Sequence, residues 1–255
     1  HHSFSRELLD PDTARYRIQR NMRNWKLTAA VFMLLSATPA MAIGTYAEGW
    51  MVVKKLTKLE SQGIMFDSFE GELIVTGYND DEECSREDYE CYTPIDRTIQ
   101  FSVRPENKEV VNFLQQKKEG SFLIQYRIHR IENLGLNTDF EIVKAINPSP
   151  SAAEPAPSMK VDQTGSRQFS FKGKFLQLDE QGTLIGTYEG LYLDEKTGKV
   201  HPYSVTNEGM AKHIYDVMKT GKSVYIGISD AIVTGFRKSD YDVYEVNEQE
   251  PAGMQ

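Results

Sequence analysis

The chain has 255 residues, 40% of them hydrophobic and 26% charged, with two cysteines and a formal net charge of −8. Six basic and three acidic residues precede Ile43, so the remainder is more acidic still. A phosphate-binding groove needs the opposite sign, and on that ground nucleic acid is not expected as a partner.

In chain order, the first feature is an export segment. From Met22, Arg23-Asn24-Trp25-Lys26 is a basic start, Leu27 to Leu35 an apolar core, and Pro39-Ala40-Met41-Ala42 a run with the small residues of a cleavage site. The apolar stretch 27–43 also suits an uncleaved membrane anchor, short though it is for a span. Residues 1–42 therefore read as an N-terminal segment whose part 22–42 is a signal peptide or an anchor. Either form implies a periplasmic or otherwise extracytoplasmic protein, with membrane association through 27–43 and attachment to the inner membrane in the anchored case.

Past this segment, Trp50 to Leu59 and Gly63 to Val75 read as two strands joined through Glu60-Ser61-Gln62-Gly63. Arg97 to Val103 is a third strand. Pro105 follows, then a helix with Val110, Val111, Phe113 and Leu114 on one stripe, ending at Gly120. Phe122 to Ile131 and Asp139 to Ala145 complete a unit. The Pro-rich run Asn147 to Ser158 reads as a semi-extended tether that donates no strand ladder. The same order then recurs: strands at Gly173 to Asp179, Thr183 to Leu193 and Val200 to Val205, a helix from Glu208 to Thr220, and strands at Ser223 to Ile228 and Asp240 to Val246.

The recurrence is one of sequence as well as of order. Gly63 to Gly71 aligns with Gly182 to Gly190, Phe101-Ser102-Val103 with Tyr203-Ser204-Val205, and Thr138 to Ile142 with Ser239 to Val243. The spacing between matched blocks shrinks because the first copy carries an extra acidic loop between Gly77 and Asp96. The order strand, strand, strand, helix, strand, strand is that of an OB-like barrel whose helix plugs one end. The expected fold is therefore mainly β, with one helix per unit: two tandem OB-like barrels at 43–146 and 167–247, a Pro/Ala/Ser-rich linker at 147–166 and a tail at 248–255.

A resemblance enters at Gly44-Thr45-Tyr46-Ala47-Glu48-Gly49 and Phe69-Glu70-Gly71-Glu72-Leu73. These resemble short bacterial envelope proteins of unknown function with a hydrophobic N-terminal segment, a G-T-Y-S-E-G sequence and a T-[WY]-E-G-E-L block. Ala47, Gln62 and Asp67 depart from that pattern. What the resemblance implies is an exported or membrane-associated protein.

Candidate site residues are few. Tyr46, Trp50 and Phe69 could line a binding face, since OB-type barrels often place aromatics on their second and third strands. Glu70 and Glu189 occupy equivalent positions, each before a Gly on the second strand, either as ligand-facing carboxylates, with Tyr188 a further binding candidate beside Glu189, or as markers of a bulge. Cys84 and Cys91 are expected to form a disulfide closing the acidic loop. The loop lacks EF-hand spacing and reads first as a solvated acidic face, with Asp80, Asp81, Glu82 and Glu83 as calcium ligands the alternative. His129, His201 and His213 lack metal-ligand spacing.

No G-x-S-x-G, P-loop or H-E-x-x-H is present. The sequence thus points to a non-enzymatic chain without a cofactor. Its expected role is a binding or adaptor module for a partner protein of the envelope, in an oligomeric state the sequence leaves open. The alternative is a calcium or glycan binder using the loop 79–90 and the outer strand face.

Overall fold

The computed structural model describes residues 45–62, 68–79, 92–129, 135–150, 158–162, 165, 167–181, 187–231 and 239–250. The export segment, Cys84, Cys91 and the acidic run 80–83 lie outside them. Residues 43–255 form one compact unit.

The fold is mainly β, with one helix in each half. The first half contains β1 (Thr45–Gln62), β2 (Ser68–Asn79), β3 (Thr93–Val103), α1 (Lys108–Gln116), β4 (Phe122–His129) and β5 (Phe140–Ile146). After β6 (Ser158–Lys160), the second half contains β7 (Gln168–Gln181), β8 (Thr187–Asp194), β9 (Val200–Val205), α2 (Glu208–Thr220), β10 (Val224–Asp230) and β11 (Tyr241–Asn247).

Pairing in each half closes on itself. β1 pairs with β2, β2 with β3, β3 with β5, β5 with β4, and β4 returns to β1. The second half repeats the ring as β7, β8, β9, β11 and β10. In both, the single parallel contact joins the third strand to the last, at Ser102 with Glu141 and at Ser204 with Asp242. A long first strand makes closure possible: its N-terminal part pairs with the fourth strand and its C-terminal part with the second. A bulge bends it between Leu56 and Lys58, and an equivalent one bends β7 between Phe175 and Gln177.

The bulge expected at Glu70-Gly71 therefore sits on the facing strand. What the Glu-Gly pair marks instead is close packing. A Cβ on Gly71 would collide with the Lys58 carbonyl and lie 2.5 Å from the Phe101 ring. On Gly190 it would collide with the Gln177 carbonyl and lie 2.6 Å from the Tyr203 ring. The bulged carbonyl and the aromatic ring of the third strand converge on the space a side chain would need.

Each ring wraps its own core. Leu73, Phe101, Val103, Leu114, Phe122 and Ile142 centre the first. Tyr192, Tyr203, Met210, Ile214 and Ile226 centre the second, which also takes in Leu123 and, at its margin, Trp50 and Val52 from the first half. The helices plug the rings by their apolar stripes, Val110, Val111 and Leu114 on α1 and Met210, Ile214 and Met218 on α2.

Two expectations are corrected. Glu60, Ser61 and Gln62 are not a turn but the end of β1, opposite Glu70, Phe69 and Ser68. The linker does donate a ladder: Ser158, Met159 and Lys160 pair with Asn247, Val246 and Glu245. Its last proline is Pro157, and beyond it every residue has an N–H to give.

Candidate functional site

The two halves are stitched together by β1 and β7, antiparallel from Ala47–Met51 to Gln177–Gln181, with Gly49 directly opposite Asp179. A Cβ on Gly49 would collide with the Asp179 carboxylate and lie 2.6 Å from the Leu178 carbonyl, so the last Gly of the Tyr46-Ala47-Glu48-Gly49 motif is what lets β7 come this close. Asp179 is 6% exposed. It accepts hydrogen bonds from the Tyr126 hydroxyl of the first half and from Gln177 Nε2 at 2.7 Å. Tyr203 donates to the Gln177 carbonyl at 2.9 Å. Burial, then the neighbouring Asp179 charge, pushes the Tyr126 hydroxyl well above the ordinary tyrosine range, and the same two causes act on Tyr203.

Beside this junction opens a cleft of about 870 Å³. One wall is the β2–β3 hairpin, with Val75, Arg97, Thr98 and Gln100. The floor is the interior of the first ring, where Tyr126 and Phe140 stack at 4.6 Å, and the far wall is Gln177, Asp179 and Leu191 of the second half. The hairpin reaches across to the second half: the Tyr92 carbonyl accepts from Val200 N at 3.1 Å, and the Tyr92 ring meets the His201 ring edge-on at 5.5 Å.

Under one edge of the cleft lies a polar network. Glu70, 8% exposed, accepts from Ser68 at 2.6 Å and from Ser102 at 2.7 Å, and Ser102 accepts from the backbone N–H of Thr138 at 3.0 Å. Glu141 is held by Arg104 at 2.8 Å and by His129 at 2.7 Å. In the second half Ser204 donates to Asp242 at 2.7 Å, with Glu189 buried beside it on β8. These hydroxyl–carboxylate bonds flank the single parallel contact that closes each ring. Glu70 and Glu189 are thus buried, and Glu70 lines a small pocket with Lys58, Glu72 and Gln100.

The other candidates divide. Trp50 and Tyr188 come together in a second, smaller groove of about 290 Å³ against α2, where the Trp50 ring lies 4.2 Å from Tyr215. Burial first, then Glu180 and Glu208, raises the Tyr188 hydroxyl above its usual range. Phe69 packs on the first core. Of Tyr46 only the backbone, within β1, is described. The proposed disulfide and calcium ligands fall outside the described residues. Among those described, no group of three or more metal-ligating side chains gathers.

Sequence reasoning missed Tyr126, Gln177 and Asp179. A signal existed, because the duplication aligns Tyr126 with Ile228, and a hydroxyl where the other copy is aliphatic marks a position with a polar neighbour.

With this geometry in hand, the comparisons with known proteins fall into place. A family model described as a domain of unknown function, DUF8785, matches the chain twice, over residues 44–152 and 165–253. The chain belongs to that family. The two matches coincide with the two strand rings. No curated protein sequence matches it. Among solved structures, the wild-type single-stranded DNA binding protein from Thermus aquaticus is 7% identical, covering 83% of this chain and 96% of its own, with a TM-score of 0.26. A deletion mutant of the same protein is 9% identical, covering 84% and 98%, with a TM-score of 0.27.

The exclusion of nucleic acid is corrected, since these neighbours are single-stranded DNA binding proteins. The physical reason is that net charge sums over the whole chain while a binding face is local: Lys54, Lys55 and Lys58 are exposed along one strand of this acidic protein.

Proposed function

We propose that this chain is a non-enzymatic binding module of the bacterial cell envelope. It consists of two OB-like barrels in tandem, 43–146 and 167–247, which take a segment of a polypeptide partner into the cleft between them. The barrel reading is supported by the closed pairing rings with a helix after the third strand. Export is supported by the sequence of residues 22–42.

The observation that carries the binding reading is the cleft itself. Its volume of about 870 Å³ lies in the range of true ligand sites, and both halves wall it. Its chemistry suits holding rather than reacting. Among the described residues no serine or cysteine lines it, and its histidine, His129, is buried against Glu141.

The test is a photo-cross-linking amino acid at Leu191, on the cleft wall, in the protein expressed in its own cells. Lys118, exposed beyond α1, is the control position. A defined polypeptide captured from Leu191 and not from Lys118 is the expected result. Capture of nucleic acid or glycan, or of nothing, overturns the reading. A carboxy-terminal reporter that is active only outside the cytoplasm should be active, and an inactive one removes the export part.

A further inference from the structure

The edge of β3 suggests how the partner is held. β3 pairs with β2 in unbroken register along all its length, from Phe69 opposite Val103 to Asn79 opposite Thr93. Its other edge meets β5 only at Ser102. Among the described residues no backbone bond satisfies the groups of that edge from Thr93 to Gln100. Asp96, Arg97, Thr98 and Gln100 are exposed, and Thr98, Ile99 and Gln100 line the cleft.

Open edges are templates for another strand, and proteins normally block them with bulges, lysines or brevity. Two other edges of this molecule are guarded. The outer edge of β1 past the junction has two register shifts and carries Lys54, Lys55 and Lys58. β9, the counterpart of β3, has six residues, all buried. The β3 edge is long, free of bulges and lysines, interrupted by Pro94 only next to its start, and set beside a cavity.

We propose that the outer edge of β3, from Thr93 to Gln100, receives an extended segment of the partner as an added strand. This rests on the binding-module reading and specifies its mode. Only another polypeptide backbone offers alternating donors and acceptors at the strand spacing of about 4.8 Å. Asp139 and Asp179 across the cleft oppose acidic side chains, while Val75, Ile128 and Phe140 suit apolar ones. The segment is therefore extended, apolar at alternate positions, and neutral or basic.

Amide hydrogen exchange on the full chain tests this. Without a partner, every second amide from Ile95 to Gln100 should exchange almost unprotected, while those bonded to β2 stay protected. The probe is the strongest binder selected on the full chain from a displayed random library of peptides about 12 residues long. It should slow the exposed amides about tenfold or more. The double variant Thr98→Lys, Gln100→Lys, which copies the lysine guard of β1, should weaken that peptide about tenfold with unchanged melting temperature.

A peptide that protects another region, no selected peptide, or equal binding by the double variant overturns the edge mode. If cross-linking at Leu191 still captures a polypeptide in those cases, the binding module stands and only the mode fails. If it captures none, both fail.

Discussion

The two halves share a closure mechanism and differ in what they leave open. Both rings close at a serine on the third strand, Ser102 opposite Glu141 and Ser204 opposite Asp242, each serine bonded to a buried carboxylate (Glu70 on the second strand in one half, Asp242 on the last in the other), and both need a glycine under an aromatic ring. The first half, however, carries second and third strands of 12 and 11 residues where the second half has 8 and 6. The longer hairpin arches over the junction and presents a free edge, while the shorter one is buried by it. Duplication supplied two equal scaffolds, and unequal hairpins made one of them a wall for a cleft and the other its brace.

The largest effect should come from the shared feature. Gly190→Ala places a methyl against the Gln177 carbonyl and the Tyr203 ring, neither of which can retreat without opening the bulge or the core. We expect a loss of about 3 kcal/mol, seen as a lower thermal midpoint. Gly71→Ala should lose slightly less, because the carbonyl facing it stands a little further off. If only one of the two destabilises the protein, the halves are not built on the same contact and the comparison fails.

The shared features were also the ones most legible from sequence. α2 is found where the apolar spacing placed it, from Glu208 to Thr220, and β9 at Val200–Val205, because spacing of 3.6 or an unbroken apolar run is a local signal. α1 stops at Gln116, short of Gly120, since Lys117 is already extended. The cleft was not legible. It depends on β1 meeting β7, strands far apart in the chain, and Asp179 reads as one more surface acid until Gly49 is found opposite it. The linker strand β6 was hidden by the prolines before it.

Acid should separate the halves next. His201, in the second half only, is buried against Tyr92 and Tyr192, and burial pulls its pKa down to about 4. Its folded pKa is below the unfolded value, so the unfolded chain takes up the proton first. The stability this neutral imidazole confers is present above about pH 6.5 and drains away as pH falls toward 4, about 3 kcal/mol in all. His213 on α2 is lowered by burial too and adds in the same direction. His201→Phe should flatten the stability profile between pH 6.5 and 4 in urea titrations; an unchanged slope would place the acid sensitivity elsewhere.

Alkali probes the junction. Tyr126 and Tyr203 are held protonated by burial and by Asp179, with folded pKa values above the unfolded one. Their contribution is complete below about pH 10 and is lost as the pH climbs above it, because the unfolded chain ionises first. Tyr126→Phe removes one donor from a buried carboxylate and should lower stability at neutral pH by about 1.5 kcal/mol, while making the loss above pH 10 shallower. A drop at neutral pH with the alkaline slope intact would place the alkaline loss on other tyrosines, and no drop at neutral pH would mean that Gln177 alone satisfies Asp179.

The smallest expected difference lies at the helix starts, where the halves repeat one device with unequal geometry. Asn207 accepts from the backbone N–H of Met210 at 2.9 Å, within good hydrogen-bond range, whereas Asn107 accepts from Val110 at 3.4 Å. Asn207→Ala should therefore cost about 1 kcal/mol as a lost cap. Asn107 has a second role, since its amide donates to the Val143 carbonyl of β5 at 2.9 Å and ties the helix start to the ring. Replacing Asn107 by Asp keeps the cap oxygen and removes that donor, while Ser shortens the reach to both. If the tie to β5 dominates, Asn107→Asp and Asn107→Ala destabilise equally in thermal melts. If the cap dominates, Asp recovers most of the loss, and the two helices are then anchored alike despite the difference in distance.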